Sequence, residues 1–78
     1  MIQPNTQSLA EARQPADFVI ESFPDAGREA LRLRELGFGP GRHVRVLHAS
    51  DPMLCQLDHF RVGLDRRLAG AIQVRPMR

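Results

Sequence analysis

Residues 33–41 read LRELGFGPG, three glycines and a proline wrapped around a single phenylalanine. Such concentrated backbone punctuation has two readings: a loop that cradles a phosphate, or a device that stops a helix and aims the chain into a strand. A Walker-type loop requires lysine after its second glycine, and this chain contains no lysine. A dinucleotide fingerprint follows a strand and opens a helix. Here the order is reversed, because helix formers precede the glycines and an alternating V-x-V follows them. Gly37 therefore suits the left-handed position just past a helix end, where a Cβ would be penalised. Phe38 is placed to fold back onto the helix's last apolar residues, and Pro40-Gly41 suits a turn. The stretch aims the chain and binds no phosphate.

Working outward, 28–36 reads as a short helix with Asp25 or Gly27 as N-cap and Ala30, Leu33 and Leu36/Gly37 on one apolar stripe. A helix of about ten residues is too short to be stable alone. On the amino-terminal side, ADFVIESF (16–23) is rich in β-branched and aromatic residues and stops at Pro24, which predicts a strand. Ser8 and Glu11 make a capping-box pair for a short helical turn before it. On the carboxyl side, RHVRVLHA (42–49), MLCQL (53–57), FRVGLD (60–65) and AIQVR (71–75) read as strands. Asp51-Pro52 and Asp58-His59 mark turns between them, and RRLAG (66–70) reads as a single helical turn closed by Gly70. The expected fold is mainly β: about five strands, one inserted α-helix and short helical turns, closed into a small barrel because closure removes sheet edges. Residues 1–7 are expected to be a flexible tail, and 8–78 a single domain.

With 78 residues there is room for one small core. A lone cysteine excludes an internal disulfide, and no run of apolar residues approaches the ~20 that span a bilayer. With no apolar amino-terminal segment, the cytoplasm is the expected compartment. All eleven basic residues are arginine, yet nine carboxylates leave the formal net charge at +2. The arginines are scattered among Glu35, Asp58 and Asp65, a pattern that favours a solvated surface over a nucleic-acid stripe.

A leucine-rich helix ending in L-G-F-G-P-G and followed by V-R-V-L resembles the FeoA family (ferrous iron transport protein A). The segment LRELGFGPGRHVRVL carries the likeness most clearly, and DPMLCQLDHFRVGLDRRLAGAIQV is similar to the family's tail. Upstream, SLAEARQPADFVIESF matches the lead-in, with Ala16 in the place of the usual glycine. The resemblance covers roughly residues 8–75. It implies an SH3-like barrel in the cytoplasm, recruited to the inner membrane by its partner, the ferrous iron permease FeoB. It implies a non-enzymatic accessory that docks on the cytosolic part of that permease, with no required cofactor and no small-molecule substrate. Two positions depart from the family: His59 stands where glycine is common in a turn, and Cys55 where a β-branched residue is usual.

The candidate sites follow from the residues. An SH3-like shape invites a proline-rich ligand, but that mode needs an aromatic-lined groove, and the chain has neither Trp nor Tyr. Cys55 lies on an alternating apolar face and reads as a small buried hydrophobe with no histidine placed to activate it. For partner contact, Leu31 lies off the apolar stripe and is ringed by charges; it reads equally as an interaction anchor or as packing on the barrel rim. The candidate docking surface is Leu31, Arg32, Glu35, Leu36 and Phe38. His43, His48, Asp58 and His59 are candidate ligands for zinc or ferrous iron, at a surface or intermolecular site, because the spacing is poor for a closed one and His43 and His48 have opposite strand parity. Two alternative functions stand beside the accessory reading: a metal-responsive homodimer, and a small nucleic-acid-binding regulatory barrel.

Overall fold

A computed structural model describes residues 7–24 and 26–77. In chain order the elements are β1 (Gln7–Ser8), a 3-10 turn (Leu9–Glu11), β2 (Ala16–Ser22), α1 (Arg28–Glu35), β3 (His43–His48), β4 (Met53–Leu57), β5 (Phe60–Leu64), α2 (Arg66–Gly70) and β6 (Gln73–Pro76). All strand pairs are antiparallel, in the order β1-β6-β2-β3-β4-β5. The mainly β architecture with one inserted helix is thus the one the sequence predicts, with a sixth strand added and, among the described residues, no ladder between β1 and β5 to close the expected barrel. Gln7, assigned to the flexible tail, pairs with Val74, and Ser8 pairs with Gln73. The remainder of that tail and the N-cap candidate Asp25 lie outside the described residues, and Gly27 occupies the N-cap position of α1.

The glycine-rich stretch closes α1 with two reciprocal backbone bonds. The Phe38 N–H donates to Leu33 O at 3.0 Å and the Gly37 N–H to Arg34 O at 3.0 Å. This is the Schellman arrangement, in which the residue after the cap turns left-handed and satisfies carbonyls the helix end would orphan. Gly37 sits at φ 101°. The reversal swings Phe38 inward, where it is 4 % exposed and packs in the same apolar cluster as Leu33. Three residues on, the Gly41 N–H donates to Ile20 O at 2.7 Å, and the Ile20 N–H donates to Arg42 O at 2.9 Å. The turn is therefore stitched to β2, and β3 starts in register with it, Phe18 opposite Val44 and Ala16 opposite Val46.

Alternation then fills the core. Phe18 and Ile20 from β2, Val44 and Val46 from β3, Met53, Cys55 and Leu57 from β4, and Val74 from β6 all point inward. Leu9, Ile72 and Ala69 close one side, and Ala30 and Leu33 of α1 are buried. Removing a buried leucine such as Leu33 from water contributes about 1.5–3 kcal/mol, so the short helix is held by this contact and not by its own propensity. Two register shifts interrupt the ladders, between Ile20 and Ser22 and between Val46 and His48. The second reverses the parity expected along β3 and leaves both His43 and His48 exposed. In the β4–β5 hairpin, the positive φ (51°) falls on Asp58, a residue type that tolerates the left-handed region, so His59 need not adopt it.

Replacing Gly37 by alanine tests the closure. Its Cβ would lie 3.5 Å from Phe60 Cζ, an ordinary contact, so the cost is backbone strain. We expect a loss of ~1–2 kcal/mol in urea unfolding. Gly63→Ala, with a Cβ 3.9 Å from the Pro52 Cβ and no positive φ, is the neutral control. Equal losses in the two variants would remove the closure from the account.

Candidate functional site

Helical geometry divides α1 into two faces. Ala30 and Leu33 point into the core, and the residues about 100° per step away from them, Arg28, Leu31, Arg32 and Glu35, share the outer face. Leu31 is 58 % exposed, so it does not pack on the rim of the sheet. It stands in water with an arginine on either side. Leu36 is half-buried against the core, and Phe38 belongs to the core outright. Of the five residues proposed for docking, Leu31, Arg32 and Glu35 therefore form one surface. Phe38 does not contribute to it, because the Schellman closure turns its ring inward. On the flank of the helix, the Arg34 guanidinium lies 6.0 Å from the Phe23 ring, at the outer limit of a cation–π contact.

Beside this face runs an open cleft of about 300 Å³, lined by Arg28, Glu29 and Arg32 of α1 and by Asp65, Arg67 and Leu68 of the α2 turn. Asp65 caps α2, its Oδ1 accepting from the Leu68 N–H at 2.8 Å. The cap orients two consecutive arginines differently. Arg66 turns toward Asp51, its backbone N–H donating to Oδ1 at 3.1 Å and its Nε lying 3.9 Å from Oδ2, while Arg67 faces the cleft. Sequence reasoning did not place Arg67 in a site. The available signal was the Arg66-Arg67 pair itself, since adjacent helical residues diverge by about 100° and serve different neighbours.

The outer face of the sheet is arranged otherwise, with most of its arginines set against carboxylates. Asp17 Oδ1 accepts from Arg45 Nε at 2.8 Å and lies 2.7 Å from His43 Nε2, which donates when it carries the proton. Arg42 pairs with Asp58, and Arg75 with Glu21. Arg45 first, and His43 second, hold the Asp17 carboxyl below its ordinary pKa by hydrogen bonding. This alternation of sign builds no basic stripe across the sheet of the kind that tracks a phosphate backbone.

The candidate metal ligands are not gathered. Among the described residues, no three of His, Cys, Asp and Glu stand close enough to hold one ion. His43 is engaged with Asp17 next to the Arg45 guanidinium, and Asp58 is engaged with Arg42, so both carboxylates already neutralise cations. His48 is five residues from His43 along β3, roughly 16 Å at ~3.3 Å per residue. His59 stands at the exposed tip of the β4–β5 hairpin. A closed internal metal site does not fit these residues. Cys55 does not fit one either: its thiol is buried, and burial pushes its pKa up to about 11, so it stays protonated and unreactive at neutral pH.

A family model for the FeoA domain matches residues 7–76. No protein of curated function matches the chain. Among solved structures, a FeoA from Stenotrophomonas maltophilia in complex with zinc, a prokaryotic SH3-domain protein, is 32 % identical over 87 % of this chain and 88 % of its own, with a TM-score of 0.76. An iron uptake regulatory protein, also a FeoA, aligns at a TM-score of 0.83 and 21 % identity, over 92 % of this chain and 97 % of its own. A manganese-dependent transcriptional repressor aligns at a TM-score of 0.87 and 20 % identity, over 99 % of this chain. The chain spans only 45 % of that repressor's length, so the likeness shows a shared SH3-like fold.

The Asp17 cluster yields a pH dependence with a definite sign. Its folded pKa lies below the ordinary 3.8, so its contribution is complete above about pH 4 and is lost as pH falls through the folded value. Asp17→Asn should cost at most ~1 kcal/mol at pH 7, the range of a surface pair. In urea melts the gap to the parent protein should narrow progressively as pH falls below 4. A gap that does not change with pH would mean that Asp17 acts through something other than its charge.

Proposed function

The chain belongs to the FeoA family, the small proteins of ferrous iron transport, and we propose that it acts as a non-enzymatic accessory docking on the cytosolic part of the FeoB permease. The observation that carries this reading is the outer face of α1. Leu31 is the most exposed large apolar side chain among the described residues, and it is ringed by Arg28, Arg32 and Glu35. An apolar residue with charged neighbours on a short, externally anchored helix is the composition of an interface centre with a polar rim. Docking shifts a permease between states only to the extent that the accessory binds those states with different affinity. The lone thiol, buried and protonated, is not placed to act as a nucleophile.

Titrating the labelled protein against full-length FeoB in detergent, with a random DNA duplex in parallel at two salt concentrations, tests the reading. Saturable binding to FeoB alone is the expected result. Binding only to DNA, falling steeply with salt, would transfer the protein to the regulatory class. A folded Leu31→Gln variant should bind FeoB about tenfold or more weakly, as for a central apolar contact.

A second reading, a metal-responsive homodimer, is favoured by the zinc complex of the Stenotrophomonas FeoA. Here the ion would be shared between two chains through His59 or His48, because no single chain gathers a ligand set among its described residues. Sedimentation with and without zinc should show a doubling of mass that chelator reverses and His59→Ala abolishes. An unchanged dimer in that variant would remove His59.

A further inference from the structure

The cleft between α1 and α2 concentrates cationic groups that the fold itself does not use. Arg42, Arg45, Arg66 and Arg75 each pair with a carboxylate. Among the described residues Arg28, Arg32 and Arg67 form no ion pair, and all three line this cleft. The opposing acids are Glu29, in the first turn of α1, and Asp65, whose Oδ1 is committed to the α2 cap. Leu68 supplies an apolar wall, and Leu31 stands on the same helix face as Arg28 and Arg32.

Building on the docking reading above, we propose that this cleft receives a carboxylate-bearing segment of the protein partner, an acidic side chain with an apolar neighbour. The guanidinium fork matches a carboxylate bidentately, which an ammonium does not, and every basic side chain in this protein is a guanidinium. Arg28 and Arg32 stand one helical turn apart, and Arg67 comes from the second helix, so the three approach an occupant from two elements. An aliphatic side chain next to the acid would be covered by Leu31 and Leu68. A bare oxyanion would use the arginines and leave both leucines idle. The mixed character of the cleft therefore favours a peptide over a small anion.

Two measurements test this separately from the docking reading. In the first, side-chain Nε–H signals of Arg28, Arg32 and Arg67 are followed by NMR while a peptide of alternating glutamate and leucine is added, with inorganic phosphate in parallel. Shifts of these three with the peptide, and not with phosphate at equal concentration, are expected. Equal shifts with phosphate would make the cleft a small-anion site, and no shift with either would abolish it; both outcomes overturn the proposal. In the second, FeoB binding is compared for the parent protein, Arg67→Gln and Arg61→Gln, the last on β5 outside the cleft. Arg67→Gln should weaken binding about tenfold and flatten its salt dependence, with Arg61→Gln unchanged. If the parent binds and Arg67→Gln binds equally, the cleft is wrong and docking stands. If the parent does not bind while the peptide still shifts the three arginines, the partner is wrong and the cleft stands.

Discussion

The left-handed turn at Gly37 sets the geometry of the elements on either side of it. It satisfies the last carbonyls of α1 and drives Phe38 into the core. It also delivers Gly41 and Arg42 to the backbone of Ile20. One backbone angle thereby sets the end of the helix, a core side chain and the register between β2 and β3. A helix of eight residues has too little internal hydrogen bonding to fix its own limits. Its position is dictated from the end that the chain leaves by.

That anchoring explains why the outer face of α1 is free to carry function. The buried stripe of Ala30 and Leu33 and the closure after Glu35 hold the helix without help from Arg28, Leu31, Arg32 or Glu35. Elsewhere the charges are largely spent on neighbours: Asp17 serves Arg45 and His43, Glu21 serves Arg75, and Asp58 serves Arg42. Such exposed pairs add little stability. They do offset charge across the sheet, while among the described residues three of the six arginines without an ion pair, Arg28, Arg32 and Arg67, meet between the two helices. The formal net charge conceals this, because it averages a neutralised face with an unneutralised one.

The elements that announce themselves through side chains were legible in the sequence. Alternation marked β3, β4 and β5, helix formers with a punctuated end marked α1, and Cys55 fell on an inward position as its neighbours required. Features made by backbone alone were not legible. β1 is two polar residues held by pairing with β6, and neither Gln7 nor Ser8 carries a strand signal. The shift between Val46 and His48 breaks a period-two pattern without changing composition, so the parity argument for His48 had no warning of it. That Phe38 folds back after Gly37 was legible, but how completely the two hydrogen bonds there bury its ring, and so remove it from the docking surface, was not. Arg67 was hidden for a different reason: its proximity to Arg28 depends on tertiary packing of two helices far apart in sequence.

The sheet has two ends, and their construction bears on how the protein behaves when crowded. No ladder joins β1 to β5 among the described residues, so each leaves backbone donors and acceptors unpaired on its outer side. An exposed strand of that kind is a template for stacking with another molecule. Among the described residues β1 offers two, too few to seed a ladder, while β5 carries Arg61, whose charge opposes a like neighbour, and Gly63, which weakens any pairing it joins. Among the described residues, edge-to-edge stacking of this open sheet is therefore opposed by brevity at one end and by charge and glycine at the other.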